Sequence, residues 1–416
     1  MRTIQIGAKP LPYLTCKLLG RFFPALYWSP VSNLRLREVP EPELLGADWV
    51  KVRPILSGVC ASDLAGVTLK HSFDSFMSAF ASFPIGLGHE VVGRVVEVGE
   101  SGCPSVDGRE VSVGDRVNLD PHLHCRIRGI DPPCPSCQRG ETATCQNFHE
   151  GKLPPGTGIG SNNFTRGTWS DGFLAHRRQL IPVPDGVTDE QAALVDPVGC
   201  SLHAVTKQFP ADGDTVIVYG CGTLGLGILA CLRALGSRAR LLAIARYDFQ
   251  GALARQFGAD EVLVGLATRA LFDRVAQLTG GKVYTGFLPT SRMLVGGADV
   301  VFDSVGSTET LGNAMKFTRP HGTLVVVGIG YPKRLDWTPV WLQEIRILGT
   351  LGQGVESWQG ERLHTSVLVH RLIQEGRLDP TPMLTHRFNL SDYGRAFATV
   401  LDKRRSHAVK VAFTFS

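Results

Sequence analysis

Four cysteines, Cys125, Cys134, Cys137 and Cys145, fall within a short stretch whose tight part reads CPSCQRGETATC over 134–145. RIRGIDPP separates Cys125 from Cys134. Thiolates this close in sequence can close a tetrahedral shell around Zn2+. The competing readings are a disulfide pair or buried thiols. Disulfides need an oxidising compartment. The opening MRTIQIGAKPLPYLTCKLLGRFFP does not read as a secretory signal, since Pro10, Pro12 and Lys17 interrupt its apolar stretch. The expectation is a cytoplasmic protein with a structural zinc lobe. His122 and His124, just upstream, read as ordinary loop residues.

A chain of 416 residues is too long for one ordinary core, so two domains are expected. No apolar run is long enough to span a bilayer, and no membrane partner is expected. The net charge of +5 is scattered, with one short run at Lys403-Arg404-Arg405. Nucleic-acid binding would call for a basic stripe or a known module, and neither is present. The positive balance suits anionic small molecules.

Strand-like runs recur in the first 195 or so residues, at 49–56, 90–99 and 115–120, and the polar Gly- and Pro-rich segment 149–172 reads as a loop. From Asp214 the texture becomes strand, helix, strand. VIVYG at 216–220, a helix at 226–236, LLAIA at 241–245, DVVFDSV at 299–305 and TLVVVGI at 323–329 predict a parallel sheet covered on both faces. A helix near 361–376 and a strand at 408–415 follow. The predicted division is 1–196, 197–350 and 351–416, the last part returning to the first domain.

Gly220, Gly222 and Gly225, with Thr223 and Leu224 among them, form a GxGxxG directly after a predicted strand and at the start of a predicted helix. That context marks a doubly wound Rossmann dinucleotide site, with the pyrophosphate at the helix N-terminus. Selectivity is set at the end of the second strand. An NAD site usually has a carboxylate there, whereas this chain has Arg246 and Tyr247. Arg246 can pair with a 2′-phosphate, so NADP is expected to be preferred over NAD. The competing reading leaves Arg246 solvated and gives the ribose hydroxyls to Asp248.

GVCASD at 58–63 and GHE at 88–90 add Cys60 and His89, a thiol and an imidazole that both suit zinc. With GHEVVGRVVEVG at 88–99, VGDRV at 113–117, the cysteine lobe, GCGTLG and GADVVFDSVGS at 297–307, the chain resembles the zinc-dependent medium-chain dehydrogenases, including alcohol, sorbitol and threonine dehydrogenases. The resemblance runs from about Trp49 to the end. It implies an α/β architecture, with a GroES-like β-rich catalytic domain beside the Rossmann domain, and two zinc ions per chain.

It also implies roles. Cys60 and His89 resemble two catalytic zinc ligands. Asp196, followed by Pro197, matches the third ligand of the sorbitol and threonine types, and Cys200 competes for that place. Glu90 resembles a glutamate that can swing onto the metal. Asp63 resembles the residue that orients the ligating histidine. Ser62 resembles the hydroxyl that passes on the substrate proton, but Ala65 stands where many relatives carry a relay histidine. In the lobe, Asp131 sits at the spacing of the first ligand in compact relatives. Cys125 is preferred because thiolate suits a closed site.

The implied activity is hydride transfer between an alcohol or polyol, or its carbonyl, and NAD(P), with zinc as Lewis acid. One alternative is an NADPH-dependent carbonyl or iminium reductase on the same fold. Another, of a different class, is a nicotinamide-binding sensor with non-catalytic zinc. The stretch 65–84 and the loop 149–172 are expected to line the substrate pocket. The run IRILGTL at 345–351 is expected to pair subunits into a homodimer or homotetramer.

Overall fold

The computed structural model describes residues 1–70, 79–288 and 290–415. The chain divides into two compact units, Met1–Asp196 with Gln353–Ser416, and Pro197–Gly352. The return to the first unit comes at Gln353, two residues beyond the expected start at 351.

The first unit is built on a seven-stranded sheet. Its order is Leu384–Asn389, Lys410–Thr414, Trp49–Gly58, Val91–Val98, Arg116–Leu119 and Leu180–Pro182, with Phe173–His176 also paired to Trp49–Gly58. Along Trp49–Gly58 the side chains alternate between two faces, as strand geometry requires. Val50 and Val52 join Val91, Val95, Val117, Leu119 and Phe173 in one cluster, whereas Trp49 packs with Leu123, Ile127 and Leu174 in another. A third cluster brings Ile4, Leu64, Trp169, Phe397 and Phe413 together, with the Trp169 ring 5.3 Å from Phe413. The segment 149–172 contains no helix or strand, in keeping with its polar, glycine-rich composition.

The second unit is a six-stranded parallel sheet in the order Glu261–Val264, Arg240–Ala245, Thr215–Tyr219, Ala298–Asp303, Thr318–Val326 and Arg346–Gly349. Counted along the chain this is 3-2-1-4-5-6, the doubly wound order. The order reverses beside Thr215–Tyr219, the strand that leads into the glycine-rich turn.

Two expectations need correction. The helix expected from 226 begins at Thr223 and runs to Ala234, because the turn glycines are themselves the start of the helix. The helix expected over 361–376 is Thr365–Gln374, and Glu361–His364 is instead a strand paired with Val355–Trp358. Gln359 and Gly360 both have positive φ and form the tight two-residue turn of this hairpin. The His364 ring then caps the helix by accepting from the Ser366 N–H.

Burial holds three histidines of the first unit neutral: His124, pushed down to about 4, and the pair His370 and His176, whose partners explain it. Burial pushes His370 down to about 3 and His176 down to about 4. His370 Nε2 donates to Asn118 Oδ1 at 2.8 Å, an oxygen free to accept because Asn118 Nδ2 donates to Val91 O and Ala192 O. His176 Nδ1 accepts the Arg178 N–H at 3.1 Å, which an imidazolium could not do. Both folded values lie below the unfolded one of about 6.5. Their stability contribution is therefore complete above that pH and is lost as pH falls through it, because the unfolded chain takes up protons that the folded chain refuses. Between about pH 7.5 and 5.5 the pair should cost roughly 2–3 kcal/mol. Urea unfolding at both pH values should show this loss, and the His176→Gln/His370→Gln variant should show much less of it.

Candidate functional site

The four cysteines converge. Their sulfurs all lie within 4.8 Å of one another, and Cys125 Sγ is 3.6 Å from Cys145 Sγ. A tetrahedral ZnS4 shell with bonds of about 2.3 Å has S–S edges of about 3.8 Å, so the donor set fits zinc. All four are free thiols, not disulfides. Asp131 is exposed and does not belong to the group.

Local structure explains the convergence. Cys134 precedes the short helix Pro135–Arg139, which carries Cys137 and ends at Gly140 in a left-handed conformation. Cys145 follows a 3-10 turn over Thr142–Thr144. Backbone N–H groups of Cys134, Gln146 and Asn147 point at the sulfurs of Cys125, Cys134 and Cys145. Burial opposes ionisation of Cys134, but donors from Gln146 and Cys137 bring it down to about 6. Burial holds Cys137 and Cys145 up until a cation compensates them.

Arg128, in the insertion between Cys125 and Cys134, is fully buried and donates to the carbonyls of Leu123, Glu150, Leu153, Pro154 and Gly156. It fixes the loops around the lobe, a role its sequence position did not reveal.

The second constellation also lies in the first unit. Cys60 caps the helix Ala61–Val67 just after the strand Trp49–Gly58. His89 and Glu90 sit in the turn before Val91–Val98, and Asp196 lies in the first turn of Val195–Lys207. Ligand atoms of Cys60, Asp63 and His89 fall within 4.8 Å of one another, as do those of His89, Glu90 and Asp196. Cys200 belongs to neither group and falls in the second unit.

Asp63 Oδ2 lies 3.3 Å from His89 Nδ1, and Asp63 Oδ1 accepts from the Gly88 N–H. This turns His89 Nε2 away from Asp63 and leaves it available to a ligand. Burial opposes charge on His89, but Asp63 and Cys60 hold its pKa well above the usual imidazole value. Ser62 Oγ donates to Cys60 Sγ at 3.1 Å.

Glu90 is not free to swing. Both its oxygens accept from Lys410 Nζ, at 2.7 and 2.6 Å, and both residues are buried. Gly58 permits the arrangement, since a Cβ there would lie 2.0 Å from Glu90 Oε2. Asp196 Oδ1 accepts from Gln353 Nε2 at 2.6 Å. Burial and the Glu90 charge leave Asp196 raised to about 6, despite the opposing pull of His89. A buried carboxylate beside a thiol and an imidazole nitrogen is a donor set that fits zinc.

His122 lies in a loop, as expected, but its ring pairs with Asp120 and feels Asp196 and His89, which ties it to this site. Its Nδ1 is 2.6 Å from Asp120 Oδ1. Asp120 is buried, accepts from Thr142 Oγ1, and faces His364 Nε2 at 3.5 Å. Burial opposes charge on His122, Asp120 raises its pKa above the usual value, and Asp196 and His89 also act on it. The sequence gives no local signal for this, because His364 lies far along the chain.

Of the stretch expected to line the pocket, 71–78 lies outside the described residues. The Phe80 ring packs 4.8 Å from Phe148, and Ser82 bonds to Asn163, so the part from 79 onward meets the 149–172 region.

In the second unit Gly220 has φ 96°, and Gly222 caps the helix with open space where a Cβ would be. Gly225 allows the helix to approach the strand, as a Cβ would lie 1.8 Å from Gly220 O. Thr223 and Leu224 open the helix, and Leu224 O accepts from Ser201 Oγ. Arg246 is exposed just past the strand Arg240–Ala245, its guanidinium 5.7 Å from the Tyr247 ring centre. Asp248 is exposed in the first turn of the following helix.

Residues 46–185 match the alcohol dehydrogenase GroES-like domain, and residues 223–364 match the zinc-binding dehydrogenase domain. The chain is 28% identical over 389 residues to an L-idonate 5-dehydrogenase of Vitis vinifera, covering 92% of each. It is 26% identical to an L-threonine 3-dehydrogenase of Paraburkholderia phymatum, covering 89% of this chain and 93% of that one. The fold matches 2R,3R-butanediol dehydrogenase from Bacillus subtilis with a TM-score of 0.69, at 23% identity and 92% and 96% coverage. It also matches galactitol-1-phosphate dehydrogenase from Escherichia coli with a TM-score of 0.70, at 21% identity and full coverage of both. The chain belongs to the zinc-dependent medium-chain dehydrogenases, NAD(P)-dependent oxidoreductases that act on alcohol groups.

Proposed function

We propose that this dehydrogenase carries two zinc ions per chain, a catalytic one on Cys60, His89 and Asp196 and a structural one on Cys125, Cys134, Cys137 and Cys145, and that it prefers NADP. The observation that carries the catalytic assignment is that Cys60 and Asp196 each bring a ligand atom within 4.8 Å of one on His89. Asp196 is a buried carboxylate next to Glu90, whose two oxygens both accept from Lys410 Nζ. A divalent cation on Cys60, His89 and Asp196 would relieve that arrangement. Bound there, zinc would supply a Lewis acid that polarises the oxygen of an alcohol or carbonyl.

The protein's own residues do the rest. Asp63 orients His89, Gln353 orients Asp196, and Ser62 stands beside the Cys60 sulfur. Ala65 removes the usual relay histidine. His122, with its Nδ1 tied to Asp120, keeps Nε2 to accept a proton or hydrogen bond from a hydroxylated substrate. The relatives reported above are named for idonate and threonine, so secondary alcohols bearing a neighbouring polar group are the first substrates to screen. Arg246 and Tyr247 offer a cation and a ring to the 2′-phosphate side of NADP, which also favours operation as a carbonyl reductase. The strand Arg346–Gly349 ends its sheet with Ile347 exposed, an edge through which two copies would pair into a dimer.

Three measurements test this reading. Elemental analysis should give two zinc ions per chain, and one in Cys60→Ser, with turnover down at least about 10³-fold and reduced-cofactor binding kept. A wild-type count of one or none would sink the two-site assignment. Arg246→Asp should shift the ratio of kcat/KM for NADP over NAD toward NAD by roughly 30–100-fold, the worth of a charge-assisted pair. His122→Ala should lower kcat by about 10²-fold and reshape its pH profile while leaving zinc content at two. An unchanged profile would return His122 to a structural role.

A further inference from the structure

Residues 1–37 hold six cations, Arg2, Lys9, Lys17, Arg21, Arg35 and Arg37, and no acid, Glu38 being the first. Within this stretch the helix Pro10–Leu19 is anchored to the first unit through Cys16, its one buried residue among those described, and through Lys17. Cys16 is buried in a cluster with Ile4, Tyr27 and Leu64, and its thiol donates to Leu26 O. Lys17 Nζ donates to Leu69 O.

The other side is apolar. Leu11, Leu14 and Leu18 recur at the three- and four-residue steps that place them on one helix face. Leu19 at the helix end and Phe22 and Phe23 just beyond it are exposed as well. Each of these six side chains is between 46% and 75% exposed. Together they present apolar area on the order of several hundred Å2, matching the largest patches of soluble monomers. Isolated exposed leucines are ordinary, but a continuous stripe with two phenylalanines is not.

The surroundings are cationic. The Arg21 guanidinium lies 4.4 Å from the Phe22 ring centre, and Lys9 is exposed at the helix start. Lys70 follows Leu69 and acts on Lys403, which begins the exposed Arg404-Arg405 pair. Asp392 and Asp402, on the neighbouring C-terminal helices, already face Arg395 and Arg405. A two-fold contact between copies through this patch would bring like-charged rims together, which disfavours a second copy as the occupant. Leucine and phenylalanine rimmed by lysine and arginine is the composition of a helix lying in a lipid interface.

We propose that the Leu11–Phe23 stripe docks this protein on an anionic lipid surface, with the Leu and Phe side chains in the interfacial layer and Lys9 and Arg21 against the headgroup phosphates. The proposal is independent of the catalytic reading. It revises the expectation of no membrane partner, which weighed only segments long enough to span a bilayer.

The test is sedimentation of the full-length protein at low salt with vesicles of phosphatidylcholine alone, or of equal parts phosphatidylcholine and phosphatidylglycerol. Binding is expected to the anionic vesicles and not to the neutral ones. It should weaken roughly fivefold for each of Lys9→Gln and Arg21→Gln, and at least about tenfold for Leu14→Ser/Leu18→Ser/Phe22→Ser together. Thermal unfolding of each variant confirms that it is folded. The proposal is overturned if the wild type stays in solution with anionic vesicles, or if the triple variant sediments equally well. It is also overturned if light scattering shows a multimer that dissociates in the triple variant while vesicle binding is unchanged, since the stripe is then a contact between copies.

Discussion

The buried ion pair between Lys410 and Glu90 sets the electrostatics of the first unit. It joins the strand Lys410–Thr414 to the turn that carries His89, and both charges lie out of water. An enclosed pair of this kind adds little net stability over an apolar pair, but losing one partner strands the other. Its effect here is on charge balance. Once Lys410 is committed to Glu90, the groups left at the site are Cys60, Asp63 and Asp196 against His89, with His122 paired to Asp120 nearby. Asp63 is taken up in orienting His89, so Cys60 and Asp196 are the donors left for the proposed metal ion to share with His89. The residues that hold the scaffold together thereby leave these donors to that ion, which would balance their charge.

The cysteine lobe follows a different logic. A ZnS4 shell carries net negative charge, and Arg128 lies close enough for Cys125 and Cys145 to act on it. The same guanidinium spends its N–H groups on five carbonyls. The eight-residue insertion between Cys125 and Cys134 is thus an organised loop with a buried cation at its centre. This is why lengthening the usual spacing does not displace Cys125 in favour of Asp131. A closed shell of four thiolates has no open position, so the proposed structural zinc would serve to hold the loops near His122 and Thr142, both of which contact Asp120.

Much of this was legible in the sequence because it is local. The strand Thr215–Tyr219, the glycines and the helix from Thr223 form one continuous signal. Cys60, Asp63 and His89 sit in short motifs, and the four cysteines in one segment. What escaped were groups whose meaning depends on partners far along the chain. Lys410 reads as a lysine in an apolar strand until Glu90 is placed against it, and Gln353 is unremarkable until Asp196 meets it. The Asp120–His122 pair is short-range, yet its bearing on Asp196 and His89 appears only in the fold. The strand Glu361–His364 reads as helix from sequence because it runs directly into the helix Thr365–Gln374, and a Gln-Gly turn is a weak local signal.

The placement of Asp196 has a further consequence for how the chain is threaded. The first unit ends at Asp196 and resumes at Gln353, and these two residues are joined by a 2.6 Å hydrogen bond. The points where the chain leaves and re-enters the unit are therefore stapled together through a ligand candidate. Ser366 Oγ donates to Gln353 Oε1, tying the amide to the first turn of the helix Thr365–Gln374. An amide anchored in this way presents its NH2 group to the carboxylate, which fixes one oxygen of Asp196 and leaves the other for the proposed metal ion. Glutamate at 353 would place a second acid against Asp196 and push its pKa further up. The amide therefore keeps Asp196 ionisable in a site already crowded by Glu90.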